Sequence, residues 1–146
     1  MKLKIFNASL KPADQSNTQA LIQLVTETMN KFGVTVDVVN LKELNYDFTT
    51  DSVKDDLTPH LVDVVKNCDM ISIATPIWWG VQSSLAQSIV ERFDAIDTWG
   101  QDNDYYALYN KVFGSIVSGG GDGFQHIHGI LSVSYTHLTL PTKNEV

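Results

Sequence analysis

Three short stretches hold the residue types from which a binding site can be built. "NASLKPADQSNT" offers the hydroxyls of Ser9, Ser16 and Thr18, the amide of Asn17 and the ammonium of Lys11, directly before a helical pattern. Free backbone N–H groups and the dipole at a helix N-terminus favour an anion there. The stretch is neither a Walker A loop nor a Gly-x-Gly-x-x-Gly turn, which argues against a nucleoside triphosphate or a dinucleotide. A phosphate monoester held mainly by hydroxyls fits better. The plain alternative is that Ser16 caps the helix and the rest is an ordinary loop.

"TPIWWGVQSS" places Trp78 and Trp79 directly after an apolar run. A tryptophan needs a partner for its indole N–H when buried, so two at a strand end invite a second explanation. Adjacent side chains point apart. One ring can face a planar ligand while the other packs in the core or at a subunit contact; both packing is the alternative. Gly80 allows a close backbone approach. "SGGGDGF" gives consecutive glycines whose N–H groups suit a nest-like turn. Asp122 either caps the next helix or accepts from a ligand N–H.

These stretches lie between elements of recognisable period. "KLKIFNA" alternates as a strand, with Leu3 and Ile5 on one face. From Ser16, residues Leu21, Leu24, Val25, Thr28, Met29 and Phe32 follow helical spacing, with a Ser16/Gln19 capping box and a terminal Gly33. "VTVDVVNL" is a second strand, and the acidic "KELNYDFTTDSVKDD" is a loop. Thr58-Pro59 opens a short helix through Leu61, Val64 and Val65. "MISIATPIW" suits a central parallel strand buried on both faces. "SSLAQSIVERFDAI" is a third helix, with Leu85, Ile89, Val90, Phe93 and Ile96 on one side and a second capping box at Ser84/Gln87. "DTWGQDNDYY", with Asp97, Asp102 and Asp104, is a solvated loop whose Trp99 meets the partner if the protein is a dimer. "KVFGSIVS" is a fourth strand. The βαβαβαβ order predicts an α/β fold with a doubly wound parallel sheet, and all three polar stretches then leave the carboxyl ends of strands, where such sheets bind ligands.

Composition narrows the function classes. The 146 residues suit one domain, and 43% apolar with 18% charged content is that of a soluble globular chain. A formal net charge of −7 argues against nucleic acid as a partner. Cys68 is the only cysteine, so no intrachain disulfide and no cysteine-based metal site can form. No run approaches the roughly 20 apolar residues of a membrane helix, and "MKLKIFNASL" is no signal peptide; no membrane association and a cytoplasmic location are expected. His126 and His128 follow the third stretch, where a solvated helix face is the simpler reading and the spacing makes no metal site.

Taken together, "NASLKPADQSNT", "TPIWWGVQSSLAQSIVERFD" and "SGGGDGFQH" resemble the three flavin-binding segments of the flavodoxin-like NADPH-dependent FMN reductases, in the right order over about residues 1–131. The resemblance implies a flavodoxin-like sheet of order 2-1-3-4(-5), here with the fifth strand and last helix missing. It implies FMN as cofactor and NADPH or NADH as donor. The FMN phosphate would lie against Ser9, Lys11, Ser16, Asn17 and Thr18. The isoalloxazine would lie against Pro76, Ile77, Trp78, Trp79 and Gly80, and its pyrimidine end against Ser118, Gly119, Gly120, Asp122 and Gly123. No side chain need act as acid, base or nucleophile, and no metal is expected. Lys11 stands where the family often has Arg, which loses bidentate phosphate geometry.

The function expected from this is hydride transfer from NAD(P)H through bound FMN to a small acceptor such as a quinone or free flavin, by a chain that is a homo-oligomer when full length. A flavodoxin-like one-electron carrier is the alternative. A cofactor-free regulatory α/β domain fits less well, since "FNASL" lacks clustered acids. The ending "VSYTHLTLPTKNEV" lacks helical period to this reading and resembles translated sequencing adapter. Residues 1–132 are therefore expected to form an incomplete FMN-binding domain, with 133–146 as a non-native tail. An unpaired strand edge and an uncovered face would then favour aggregation or weak FMN binding.

Overall fold

The computed structural model describes residues 1–49, 54–103 and 106–139. Four parallel strands alternate with four α-helices: β1 (Lys2–Asn7), α1 (Asn17–Lys31), β2 (Thr35–Asn40), α2 (Thr58–Asn67), β3 (Met70–Pro76), α3 (Ser84–Asp102), β4 (Val112–Ser118) and α4 (Phe124–Thr139). The sheet order is β2-β1-β3-β4, the flavodoxin-like arrangement. Asn7 lies beside Asn40 and Ala74, and Pro76 beside Ser118. This register brings the three polar loops together at the carboxyl ends of the strands.

Alternation along β1 divides the core. Leu3 and Ile5 join Ile22, Val34 and Ala74 beneath α1. Phe6 faces the other side, in a larger cluster with Leu61 and Val64 of α2, Ile89 and Phe93 of α3, and Ile127 and Leu131 of α4. Phe93 links this cluster edge-on to Phe6 at 5.9 Å and to Phe113 at 6.4 Å. Lys4 shares the Phe6 face and is buried. Its ammonium meets Asp37 and Asp63 at 2.7 Å each, which offsets a desolvation cost of several kcal/mol. Lys2, Lys4 and Asn67 hydrogen-bond the Asp63 carboxylate and hold it well below the usual carboxylate range.

Three helices differ in detail from expectation. The core stripe of α1 is Thr18, Ile22, Val25 and Met29, whereas Leu21, Leu24 and Phe32 are exposed. The apolar residues of this helix cover more than one face, and the sheet takes the face that starts at the buried Thr18. In α2, Leu57 is the cap residue rather than Thr58; Asp55 Oδ1 supplies the acceptor, taking the N–H groups of Leu57 (3.1 Å) and Thr58 (3.0 Å). The third helix does not end at Ile96. Asp97 and Asp102 lie within it rather than in a loop, and Asn103 Nδ2 donates to the Trp99 carbonyl at 2.8 Å at its end. Asp104 lies outside the described residues.

The reading of residues from Val133 as lacking helical period is corrected as far as Thr139. Ile127, Leu131 and Tyr135 are spaced four apart and all buried, so α4 continues over β4. Tyr135 stacks on Phe113 at 4.5 Å and donates to the Gly114 carbonyl at 3.2 Å. No break in the helix coincides with the boundary drawn at 132/133, and residues 140–146 lie outside the described residues. Burial pushes the Tyr135 phenol well above its ordinary range. Tyr135→Phe should keep the stack and lose what the hydroxyl bonds, costing about 1 kcal/mol in a urea melt.

Candidate functional site

The first loop is internally bonded. Ser9 Oγ and Ser16 Oγ lie 2.7 Å apart, and both residues are buried. Ser16 caps α1, accepting from Gln19 N–H at 3.2 Å. The reciprocal half of the capping box does not form, because Gln19 Oε1 instead accepts from Asn7 Nδ2 at 2.9 Å. Asn7 Nδ2 also reaches Asn40 Oδ1 at 3.0 Å, and Asn7 Oδ1 takes the Ser9 N–H at 3.0 Å. A 3₁₀ turn at Ala13–Gln15 bulges the loop outward and leaves Lys11 and Asn17 exposed.

The second loop is a tight turn. Trp78 and Val81 exchange backbone bonds at 2.8 and 3.0 Å, around Trp79 (φ 51°) and Gly80 (φ 85°). Two central residues with positive φ mark a type I′ turn, which prefers Asn-Gly. Trp79 therefore holds a conformation disfavoured by its Cβ, with its side chain fully exposed; Trp78 is 42% exposed. Neither ring packs in the core of this chain. Trp79→Asn should stabilise the fold by about 1 kcal/mol, read as a Tm rise of roughly 3 °C.

Beneath this turn, Ser83 rather than Ser84 caps α3. Its Oγ accepts from Ala86 N–H at 3.2 Å and donates to the Ala8 carbonyl at 2.8 Å, tying the second loop to the first. Thr75 Oγ1 accepts from Ser83 N–H at 3.0 Å. Gln82 Oε1 is buried without a partner among the described residues, an acceptor left over in the second loop.

The third loop locks onto the other two. Ser118 Oγ meets Thr18 Oγ1 at 2.6 Å, and its carbonyl accepts from Ile77 N–H at 2.8 Å. Gly123 (φ 98°) lies so close to Gly80 that a Cβ would stand 2.5 Å from Gly80 Cα. A Cβ at Gly119 would stand 2.8 Å from the Ile77 Cβ, whereas Gly120 faces open space. Asp122 is exposed and forms no cap bond to α4 among the described residues. His126 is exposed, but His128 is not simply solvated: its Nδ1 lies 2.5 Å from Ser115 Oγ on β4.

All the expected site residues thus lie in, or at the element ends that border, three mutually bonded loops. The backbone N–H groups of Asn17, Thr18, Trp79, Gly80, Gly120 and Gly121 donate to no group of the chain among the described residues. A surplus of donors beside one cation suits a ligand rich in acceptor oxygens, such as a phosphate joined to a dicarbonyl ring. The buried Gln82 acceptor suits a ring N–H. This donor set fits FMN. Asn7, Asn40, Thr75 and Ser83 support the loops but were not foreseen, and Gln19, expected in a capping box, supports them through Asn7 instead. Only the polar character of Asn7 and Asn40 at strand ends hinted at them.

A profile of the NADPH-dependent FMN reductases matches residues 1–145. The chain belongs to that family. Among relatives, it is 28% identical over 141 residues to an 8-demethyl-8-aminoriboflavin-5′-phosphate synthase of Streptomyces davaonensis, a match spanning 88% of this chain and 55% of the relative. It is 29% identical over 155 residues to a divalent metal cation transporter MntH of Mycobacterium bovis, spanning 98% of this chain but only 22% of that protein. Among solved structures, RosB with bound 8-demethyl-8-formylriboflavin-5′-phosphate aligns with a TM-score of 0.82 at 27% identity, over 95% of this chain and 60% of that one. FerB of Paracoccus denitrificans, a flavoenzyme NAD(P)H:(acceptor) oxidoreductase, shares the fold with a TM-score of 0.66 at 15% identity, over 94% and 72%. This FMN reductase family member spans about half the length of the first curated relative. Among its described residues, no helix is long and apolar enough to cross a membrane and no cluster of three metal-ligating side chains occurs.

Proposed function

We propose that the chain is an FMN-dependent oxidoreductase that takes hydride from NAD(P)H and passes reducing equivalents to a small acceptor such as a quinone or free flavin. The observation that carries this is the cross-bonding of three donor-rich loops at the carboxyl ends of the strands, through Thr18–Ser118, Ser83–Ala8 and Ile77–Ser118. Bound FMN would supply the hydride and electron chemistry. The chain's part is to hold it. Ser9, Lys11, Ser16, Asn17 and Thr18 would orient the phosphate at the N-terminus of α1. Pro76, Ile77, Trp78, Trp79 and Gly80 would border the ring. Ser118, Gly119, Gly120, Asp122 and Gly123 would face its pyrimidine end.

Rapid mixing of FMN-loaded protein with NADPH and with NADH tests this reading. Direct loss of the flavin's visible absorbance is expected. If only one-electron donors bleach the flavin, the chain is a flavodoxin-like carrier instead. A second reading, FMN as reactant rather than resident cofactor, is favoured by the likeness to the aminoriboflavin phosphate synthase. Mass spectrometry of flavin recovered after turnover separates the two: unchanged FMN supports the first, and a flavin altered at its ring supports the second.

A further inference from the structure

The first loop has a second cation that its own sequence does not contain. Lys42 lies in the 3₁₀ turn Leu41–Glu43, which directly follows β2. Because Asn40 and Asn7 are register partners, that turn leaves the sheet beside the first loop. The Lys42 ammonium donates to the Lys11 carbonyl at 2.6 Å. Lys11 N–H donates to Ser9 Oγ at 3.3 Å, and Ser9 Oγ pairs with Ser16 Oγ at the start of α1. A short relay of contacts therefore joins Lys42 to the N-terminus of that helix.

Three other lysines are committed elsewhere in the fold. Lys2 and Lys4 pair with Asp63, and Lys111 donates to the Cys68 carbonyl. Lys42 forms no ion pair among the described residues. The neighbouring Glu43 carboxylate accepts from Asn40 Nδ2 at 3.3 Å. An ammonium has three N–H donors, so the Lys11 carbonyl leaves two for a ligand. A phosphate monoester carries close to two negative charges at neutral pH, and Lys11 supplies one positive charge.

We infer that Lys42 supplies the second positive charge for the phosphate of FMN, acting as a positioning residue that distinguishes FMN from riboflavin; the inference rests on the FMN reading above. Its ammonium is already anchored to the loop, so little side-chain freedom is lost when the phosphate arrives.

Calorimetric titration of wild type, Lys42→Gln and Lys42→Met with FMN and with riboflavin tests it. Gln keeps a donor for the Lys11 carbonyl and removes the charge; Met removes both. Both variants should melt near the wild-type temperature and bind FMN about tenfold more weakly at low salt, while riboflavin affinity changes less than about twofold. The FMN defect should shrink at high salt. Equal losses for both flavins would reduce Lys42 to a loop anchor and overturn the inference, as would unchanged FMN affinity. A wild-type chain that binds neither flavin would instead overturn the FMN reading itself.

Discussion

Gly123→Ala is expected to lower stability by about 3 kcal/mol, which should shift Tm down by roughly 6–12 °C. It should also weaken FMN binding at least tenfold. Two independent causes act together. Gly123 has φ 98°, which a Cβ disfavours, and that Cβ would stand 2.5 Å from Gly80 Cα and 2.6 Å from its carbonyl oxygen. The neighbour is backbone in a tight turn, so neither side can yield without opening the contact between the second and third loops. Gly120→Ala is the control. A Cβ there meets nothing within 4 Å, so its melt should stay within about 0.5 kcal/mol of wild type. Equal behaviour of the two variants in thermal melts would contradict the packing described.

Arg92→Met should cost about 3–5 kcal/mol, since it strands a buried carboxylate. Arg92 and Asp55 side chains are 4% and 7% exposed. NH1 meets Asp55 Oδ2 at 2.6 Å and NH2 meets Oδ1 at 3.3 Å; the guanidinium also donates to the Asp47 carbonyl and to Thr58 Oγ1. This fork fastens the loop after β2 and the start of α2 to α3. Burial alone would push the Asp55 carboxyl up, but the guanidinium and the Thr58 amide and hydroxyl outweigh it and hold the group well below the usual carboxylate range. A depressed folded-state pKa contributes stability above the unfolded value of about 4 and loses it as pH falls toward the folded value. Wild type should therefore weaken progressively below about pH 4. Without Arg92 burial dominates, the carboxyl prefers to be neutral, and the variant should gain stability as pH falls from 7 toward 4. Asp55→Asn added to Arg92→Met should recover part of the loss at pH 7. Urea melts across pH 3–7 read all three effects.

Periodicity and loop composition make the succession of strands and helices and the three loops legible in the sequence, because "MISIATPIW" and "SGGGDG" are governed by local rules of burial and turn chemistry, whereas the order of strands in the sheet comes from the family resemblance. Faces and partners are less legible. Leu21, Leu24 and Phe32 suit a helix face as well as Ile22, Val25 and Met29 do; only contact with the sheet selects the second set. Gln19 and Ser84 sit at capping-box spacing, yet Asn7 takes the Gln19 side chain and Ser83 takes the cap of α3. Tyr135 continues the Ile127–Leu131 stripe by simple fourfold spacing, a helical signal that the sequence reading of this segment missed. Lys42 is 31 positions from Lys11, and nothing short of the sheet register brings them together.

With α4 packed over β4 and all three loops cross-bonded, the chain is expected to bind FMN. Calorimetric titration of the purified chain with FMN tests the central claim most directly. One FMN per chain, with riboflavin at least tenfold weaker, is the predicted result. No heat with FMN from a chain that melts cooperatively would contradict it.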